Sequence, residues 1–271
     1  MEEKIEEKTF AIRDILPDIA GREASPGCPD LTLETLSKVY NEADGDLTGY
    51  DCRKCKNKGY VSVVTGGREF FQPCECLAIR DEARLREESG YAKILEKYRP
   101  DNFLADTPLH KRMKLIAEKF ANCGESTCLY VGGVPGTGKS HMCCAVVNML
   151  IARRRAVKFM DWKSDSTEIK GAAGTPQYST MVDDFKKAGV LYIDDFLRGV
   201  VSEGDRNLAF LLINYRYNND LMTIISSEKP WNELRIEDRA IADRIWEMAR
   251  GYVMTLRPGA TNMRIERGEE A

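Results

Sequence analysis

Three groups of residues in this 271-residue sequence have the types and the spacing to do chemistry. The first is Gly133-Val134-Pro135-Gly136-Thr137-Gly138-Lys139-Ser140, which fits the phosphate-loop pattern G-x-x-x-x-G-K-[ST] at every position. Glycines there let the backbone wrap a phosphate chain with its N–H groups pointing inward. Lys139 reaches the β- and γ-phosphates, and the Ser140 hydroxyl is placed to ligate Mg²⁺. His141 follows in the first turn of a helix whose positive end faces the same anion.

The second group closes an apolar run, Gly189-Val190-Leu191-Tyr192-Ile193-Asp194-Asp195-Phe196. A strand ending in two acids has the Walker B form. Asp194 would hold Mg²⁺ beside Ser140, and Asp195 would polarise the attacking water.

The third group is Cys52-x-x-Cys55 with Cys74-x-Cys76. Four thiolates in two close pairs suit tetrahedral Zn²⁺, and a set of four leaves no open position, so the role is structural. The intervening runs Tyr60–Val64 and Glu69–Gln72, around Thr65-Gly66-Gly67, read as a hairpin that returns the second pair to the first. The Asp44–Gly49 run imitates a calcium loop but has Cys55 where the bidentate Glu belongs, so it reads as an ordinary loop.

These groups need elements to position them. A short β-prone run, Thr127–Val131, precedes the phosphate loop, and an apolar helical stretch, His141 to Ala152, follows it. A strand at Ala156–Met160, the Asp-Asp strand, a helix at Asn207–Tyr217, a strand at Leu221–Glu228, a helical stretch at Leu234–Arg250 and a strand at Gly251–Leu256 complete the alternation. Alternation of this kind predicts a parallel sheet with helices on both faces. Residues 163 to 180 are polar and glycine-rich and read as a loop, ending in a short helix around Met181–Lys187. Leu77 to Arg99 reads as one or two charged connecting helices with a break at Gly90, and Thr32 starts a short helix. Arg153-Arg154-Arg155 at a helix end is open to two readings, a DNA patch or partners for the negative helix terminus.

Composition narrows the class. Apolar residues are 43% of the chain and the net charge is −3, so no global basic field points to nucleic acid and any DNA contact must be local. No apolar run is long enough to span a membrane, and the acidic start is not a secretory signal. The expected location is therefore cytoplasmic, where nine cysteines fit metal ligation and burial better than disulfides.

Taken together, the chain resembles the AAA+ ATPases of the bacterial and phage replicative-helicase loader group, the DnaC/DnaI-like proteins of the IstB-like ATP-binding superfamily. The likeness is carried by the cysteine cluster, by Ser89-Gly90-Tyr91 leading to Asp101-Asn102-Phe103, and by the phosphate loop with Ile193-Asp194-Asp195-Phe196. It continues in Ile213-Asn214-Tyr215-Arg216 running into Thr223–Glu228 and Asp243-Arg244. The resemblance implies an α/β fold: an AAA+ P-loop core with a five-stranded parallel sheet and no C-terminal lid, preceded by a small zinc-binding domain. The implied organisation is a helicase-binding region over 1–78 with its zinc unit at 52–76, a helical linker over 79–99, the ATPase domain over 100–265 and a tail over 266–271.

The resemblance also implies head-to-tail assembly into a ring or spiral with ATP. Arg244, with Arg239 as alternate, would then reach the neighbour's nucleotide, and Arg264 would act as a sensor within the subunit. Ser227, at the tip of the sensor strand, would orient water; many relatives have Asn or Thr there, so hydrolysis is expected to be slow. The implied partners are a hexameric DnaB-type helicase and single-stranded DNA, and the implied cofactors are ATP, Mg²⁺ and Zn²⁺. Rival readings are an IstB-type transposition helper, a small-metabolite P-loop kinase, and an adaptor that uses ATP only as a structural ligand.

Overall fold

The structure, a computed structural model, describes residues 32–123 and 128–257. The chain divides into two compact units, Met1–Arg80 and Asp81–Ala271. Arg264 lies outside the described residues.

In the first unit, helix α1 (Leu33–Glu42) is capped by Thr32, whose hydroxyl accepts from the Thr35 N–H at 3.3 Å. Strands β1 (Tyr60–Thr65) and β2 (Arg68–Pro73) form the expected antiparallel hairpin. Its register pairs Thr65 with Arg68 and Tyr60 with Pro73. Helix α1 packs on the hairpin through Tyr40 against Phe71, edge to face at 4.9 Å. The Asn41 side chain also closes the free edge of β1: its amide donates to the Ser62 carbonyl at 2.8 Å and its oxygen accepts from the Ser62 N–H at 2.9 Å.

The second unit contains α3 (Ala92–Lys97), α4 (Pro108–Asn122), β3 (Cys128–Gly133), α5 (Lys139–Ile151), β4 (Val157–Asp161), α6 (Trp162–Gly171), α7 (Pro176–Lys186), β5 (Val190–Asp194), α8 (Glu203–Asn218), β6 (Met222–Ser227), α9 (Trp231–Glu237), α10 (Arg239–Ala249) and β7 (Val253–Leu256). Helix α2 (Cys76–Glu88) contains the division between the units. The five long-range strands form a parallel sheet in the order β4-β5-β6-β3-β7. Side chains alternate between its two faces, as strand geometry requires. Leu129, Val131, Val190, Tyr192, Met222 and Ile224 enter one core with residues of α4 and α5. Tyr130, Leu191, Ile193 and Ile225 enter the other with residues of α6 to α10. The sheet is thus covered on both faces, and its carboxyl edge is left for a site.

One expectation is corrected. Residues 163–180 are not a loop. They form α6 and the start of α7, which continues into the helix expected around Met181–Lys187, because Asp161 caps α6 by accepting from the Lys163 N–H at 3.1 Å, Pro176 starts α7, and Trp162, Ile169, Val182 and Phe185 are buried. Their polar residues are simply the solvent faces of two helices. In the stretch 79–99, Leu85 and Leu95 are buried in the core of the second unit, and the Asn148 amide bonds the Leu95 carbonyl at 2.9 Å and that of Tyr98 at 3.1 Å. Its break does fall at Gly90, where φ is +78°.

Candidate functional site

The phosphate loop leaves β3 at the point where the chain order of the sheet reverses, between β6 and β7. Gly133 has a φ of +137°, and a Cβ there would lie 2.0 Å from the Leu256 carbonyl oxygen, so only glycine lets the loop depart beside β7. Gly138, at φ +85°, is the left-handed residue that opens α5. Within the loop, Lys139 Nζ donates to the carbonyls of Gly133 and Val134, both at 2.9 Å. Burial lowers the pKa of this amine from its ordinary value, with the Asp195 and Glu228 carboxylates acting in the opposite sense.

Asp194 ends β5 opposite this loop. Its Oδ1 accepts from Ser140 Oγ at 3.2 Å and from the Tyr192 hydroxyl at 2.7 Å, and Ser226 Oγ bonds the same oxygen. The Ser226 oxygen in turn accepts from the Asp195 N–H at 3.0 Å. The two acids are therefore fixed to each other through β6. Asp195 has a φ of +52°, and its Oδ2 accepts from Arg198 at 2.6 Å.

Ser227 is not where a water-orienting group is needed. It points to the opposite face of β6, donating to the Phe196 carbonyl at 2.9 Å and accepting from the Lys229 N–H at 3.1 Å. Successive strand residues face opposite sides, so a one-residue choice at a strand tip decides the matter, and Ser226 is the serine that meets the acids.

Lys139, Ser140, Asp194 and Asp195 line a cleft of about 470 Å³ with Pro135, Gly136, Gly138, His141, Arg198 and Glu228, and Tyr91, Ile94 and Tyr98 add an apolar wall. His141 Nε2 lies 3.0 Å from Asn102 Oδ1 and 3.1 Å from the Arg99 carbonyl, which ties the helix start to the Asp101-Asn102-Phe103 segment. Tyr91 is stacked on Phe159 with centroids 3.3 Å apart. Tyr91, Ile94 and Tyr98 have the sequence spacing of one helical face, but nothing local in the sequence says that the face borders a cleft.

Arg244 does not line the cleft. Its Nε donates to Asn214 Oδ1 at 2.9 Å, its Nη1 donates to the Ala240 carbonyl at 2.9 Å, and the guanidinium lies over Phe210 at 4.9 Å. Glu247 is taken by the Tyr217 hydroxyl at 2.5 Å. Arg239 pairs with Asp243 at 3.2 Å. Of the arginine triplet, Arg154 pairs with Asp81 at 2.6 Å and Arg153 bonds the Ala121 carbonyl.

Cys52, Cys55, Cys74 and Cys76 are all buried, and their Sγ atoms lie within 4.8 Å of one another. Cys52 and Cys74 are 3.7 Å apart, and Cys55 and Cys76 are 3.4 Å apart. Zn–S bonds of about 2.3 Å in a tetrahedron put sulfurs roughly 3.8 Å apart, so this donor set fits one zinc ion. The Gly59 N–H donates to Cys55 Sγ at 3.3 Å. Burial pushes the Cys55 thiol up, but that N–H and the neighbouring thiols outweigh it and bring it to about 6. Burial, followed by the bond to Cys55, pushes Cys76 up to about 12. Cys143 and Cys144 belong to the apolar core instead.

Comparison with known proteins places this geometry. Residues 77–250 match the family model described as IstB-like ATP binding protein. The phage-like element PBSX protein XkdC of Bacillus subtilis (strain 168) is 26% identical over 266 residues, covering 87% of this chain and 99% of that protein. Among solved structures, the DnaC helicase loader aligns with a TM-score of 0.53 at 23% identity, covering 61% of this chain and 99% of that one. DnaI aligns with a TM-score of 0.51 at 19% identity, covering 64% and 93%. These structural likenesses show the fold, that of an AAA+ core. Among the described residues no helix is long and apolar enough to cross a membrane.

Proposed function

We infer that this chain, which belongs to the IstB-like ATP-binding protein family, is an ATP-driven loader that places a hexameric DnaB-type replicative helicase on single-stranded DNA. The observation that carries the reading is the joining, in one chain, of a four-cysteine unit to an ATPase core with the fold of DnaC and DnaI. A transposition helper built on the same core gives no account of the cysteine unit.

Like its family, the chain is an ATPase. The β- and γ-phosphates would take the place of the Gly133 and Val134 carbonyls as partners of Lys139. Ser140 and Asp194 would hold Mg²⁺, which neutralises charge on the phosphates. Tyr91, Ile94 and Tyr98 offer an apolar wall to the base. Asp195 takes the proton of the attacking water as its oxygen bonds the γ-phosphorus. The bond to the β–γ bridging oxygen breaks, and ADP leaves with the electron pair. Ser226 holds the two acids in register for this step. Arg244, remote from its own cleft, is assigned to a neighbouring subunit's nucleotide in a head-to-tail assembly, and Arg264 to its own.

Cys52, Cys55, Cys74 and Cys76 would hold Zn²⁺, making the first unit a rigid platform for the helicase. The γ-phosphate joins two subunits while it is present, and its loss favours release. The test is co-purification with the replicative helicase of the same cell or phage, with and without ATP. The expected result is a complex stabilised by ATP. Absence of a complex in both conditions overturns the loader reading and leaves the ATPase intact. Loading that survives Lys139→Ala but not substitution of the cysteines would favour the adaptor reading.

A further inference from the structure

Arg198 is a cation of the cleft that belongs to neither the phosphate loop nor the Walker B pair. Arg198 Nη1 lies 2.6 Å from Asp195 Oδ2, and its Nε lies 3.1 Å from Glu228 Oε1. All three residues line the cleft beside Lys139, Ser140 and Asp194. A single guanidinium thus ties the second Walker B acid to the carboxylate at the tip of β6.

The turn that presents Arg198 is firmly built. Asp195 and Leu197 have φ values of +52° and +53°, a conformation that side chains other than glycine's adopt only when their surroundings hold them. The surroundings do so here. Phe196 and Leu197 are buried; the Phe196 N–H donates to the Ser226 carbonyl at 2.8 Å, and the Arg198 N–H donates to the Asp195 carbonyl at 3.1 Å. The backbone is pinned, while the Arg198 side chain is 49% exposed and can change partners.

The charges decide what partner it would take. Asp194, Asp195 and Glu228 line the cleft together with Lys139, Lys97 and Arg198. A triphosphate adds several negative charges at this point, and its terminal oxygens offer a guanidinium a two-pronged match that a carboxylate also offers. While Arg198 bonds Asp195 Oδ2, that oxygen is engaged by the guanidinium rather than by a water.

We propose that Arg198 is a γ-phosphate sensor within its own subunit: it clamps Asp195 and Glu228 together until a terminal phosphate enters, then moves to that phosphate and frees Asp195 to receive the proton of water. ADP lacks the group that draws it away, so with ADP the clamp stays closed. The inference rests on ATP hydrolysis in this cleft with Asp195 as the base.

The test uses the full chain and its Arg198→Ala, Arg198→Lys and Arg198→Gln variants, with melting curves to confirm folding. Binding of a non-hydrolysable ATP analogue and of ADP is measured with Mg²⁺. The Ala and Gln variants are expected to bind the analogue about tenfold more weakly, the loss of one charge-assisted hydrogen bond, and ADP within about twofold of the unmodified protein. The Lys variant keeps part of the preference. Equal weakening of both nucleotides, or no change in either, overturns the proposal. If the unmodified protein neither binds nor hydrolyses ATP, the underlying reading fails instead.

Discussion

The Ser140 hydroxyl donates to Asp194 Oδ1 at 3.2 Å, joining the phosphate loop to the Walker B strand across 54 positions of sequence. With Tyr192 and Ser226 bonded to the same oxygen, three hydroxyls hold one carboxylate at the mouth of the cleft. An acid so held is positioned before any ligand arrives, which lowers the ordering cost of building the site.

Asp194→Asn should keep this geometry and remove the charge. We expect ATPase turnover to fall by at least about 100-fold, the scale of losing one preorganised electrostatic contact in a transition state. Nucleotide binding without Mg²⁺ should persist. Steady-state kinetics and a binding titration in the presence of a chelator check both.

The two serines of β6 should separate cleanly. Ser226→Ala breaks the bridge between Asp194 and the Asp195 N–H, so kcat should drop about tenfold or more with little change in the melting temperature. Ser227→Ala removes bonds to the Phe196 carbonyl and the Lys229 N–H, costing about 1–2 kcal/mol of stability. A larger kinetic effect from Ser227→Ala than from Ser226→Ala would reverse the assignment.

Lys139 gives a pH dependence. Its amine is positive below its lowered pKa and neutral above it. ATP affinity should therefore be level at low pH and weaken as pH rises through that value, starting below the ordinary lysine range. The Lys139→Arg variant, charged throughout, should not show this limb. Titrations of ATP affinity from neutral to alkaline pH distinguish the two.

The cysteine unit should depend on metal. Its hairpin has little apolar core, so zinc would supply most of its folding energy, on the order of 10 kcal/mol. Metal analysis of never-chelated protein should find about one zinc per chain. Chelation, or Cys55→Ser, should unfold the first unit and leave ATP binding by the second in place. Loss of both together would argue against independent folding.

Arg216 is fully buried and donates to Thr223 Oγ1, to the Phe185, Lys186 and Ala188 carbonyls at the end of α7, and to the Met222 carbonyl. Burial pushes it down to about 10, and the carbonyls at a helix terminus are its compensation. Arg216→Met should cost about 3–5 kcal/mol in urea denaturation, because it strands several carbonyls. Arg216→Lys should rescue little, since an ammonium cannot replace a planar fork.

Much of this was legible from residue order. The phosphate loop, the Asp-Asp strand tip and the paired cysteines are local patterns whose chemistry requires those residues at those spacings. The alternation of apolar runs with helical stretches was enough to specify a parallel α/β sheet. The helix over 162–171 and the start of the one over 176–186 were not legible, because their buried residues are few and widely spaced among polar ones. Leu85 and Leu95 looked like a linker's stripe because only long-range packing reveals what they touch.

What the sequence by itself determined, then, is the inventory: a triphosphate loop, two acids, a four-thiolate centre and the strands and helices that hold them. Only the tertiary structure decided which side chains meet. The faces of β6 were settled by its pairing with β3 and β5, which turned Ser226 toward Asp194 and Ser227 away. The left-handed turn after Asp194 carried Arg198 into the cleft. Both depend on registry between segments far apart in sequence, and a one-residue shift in either would reverse the direction of every side chain involved.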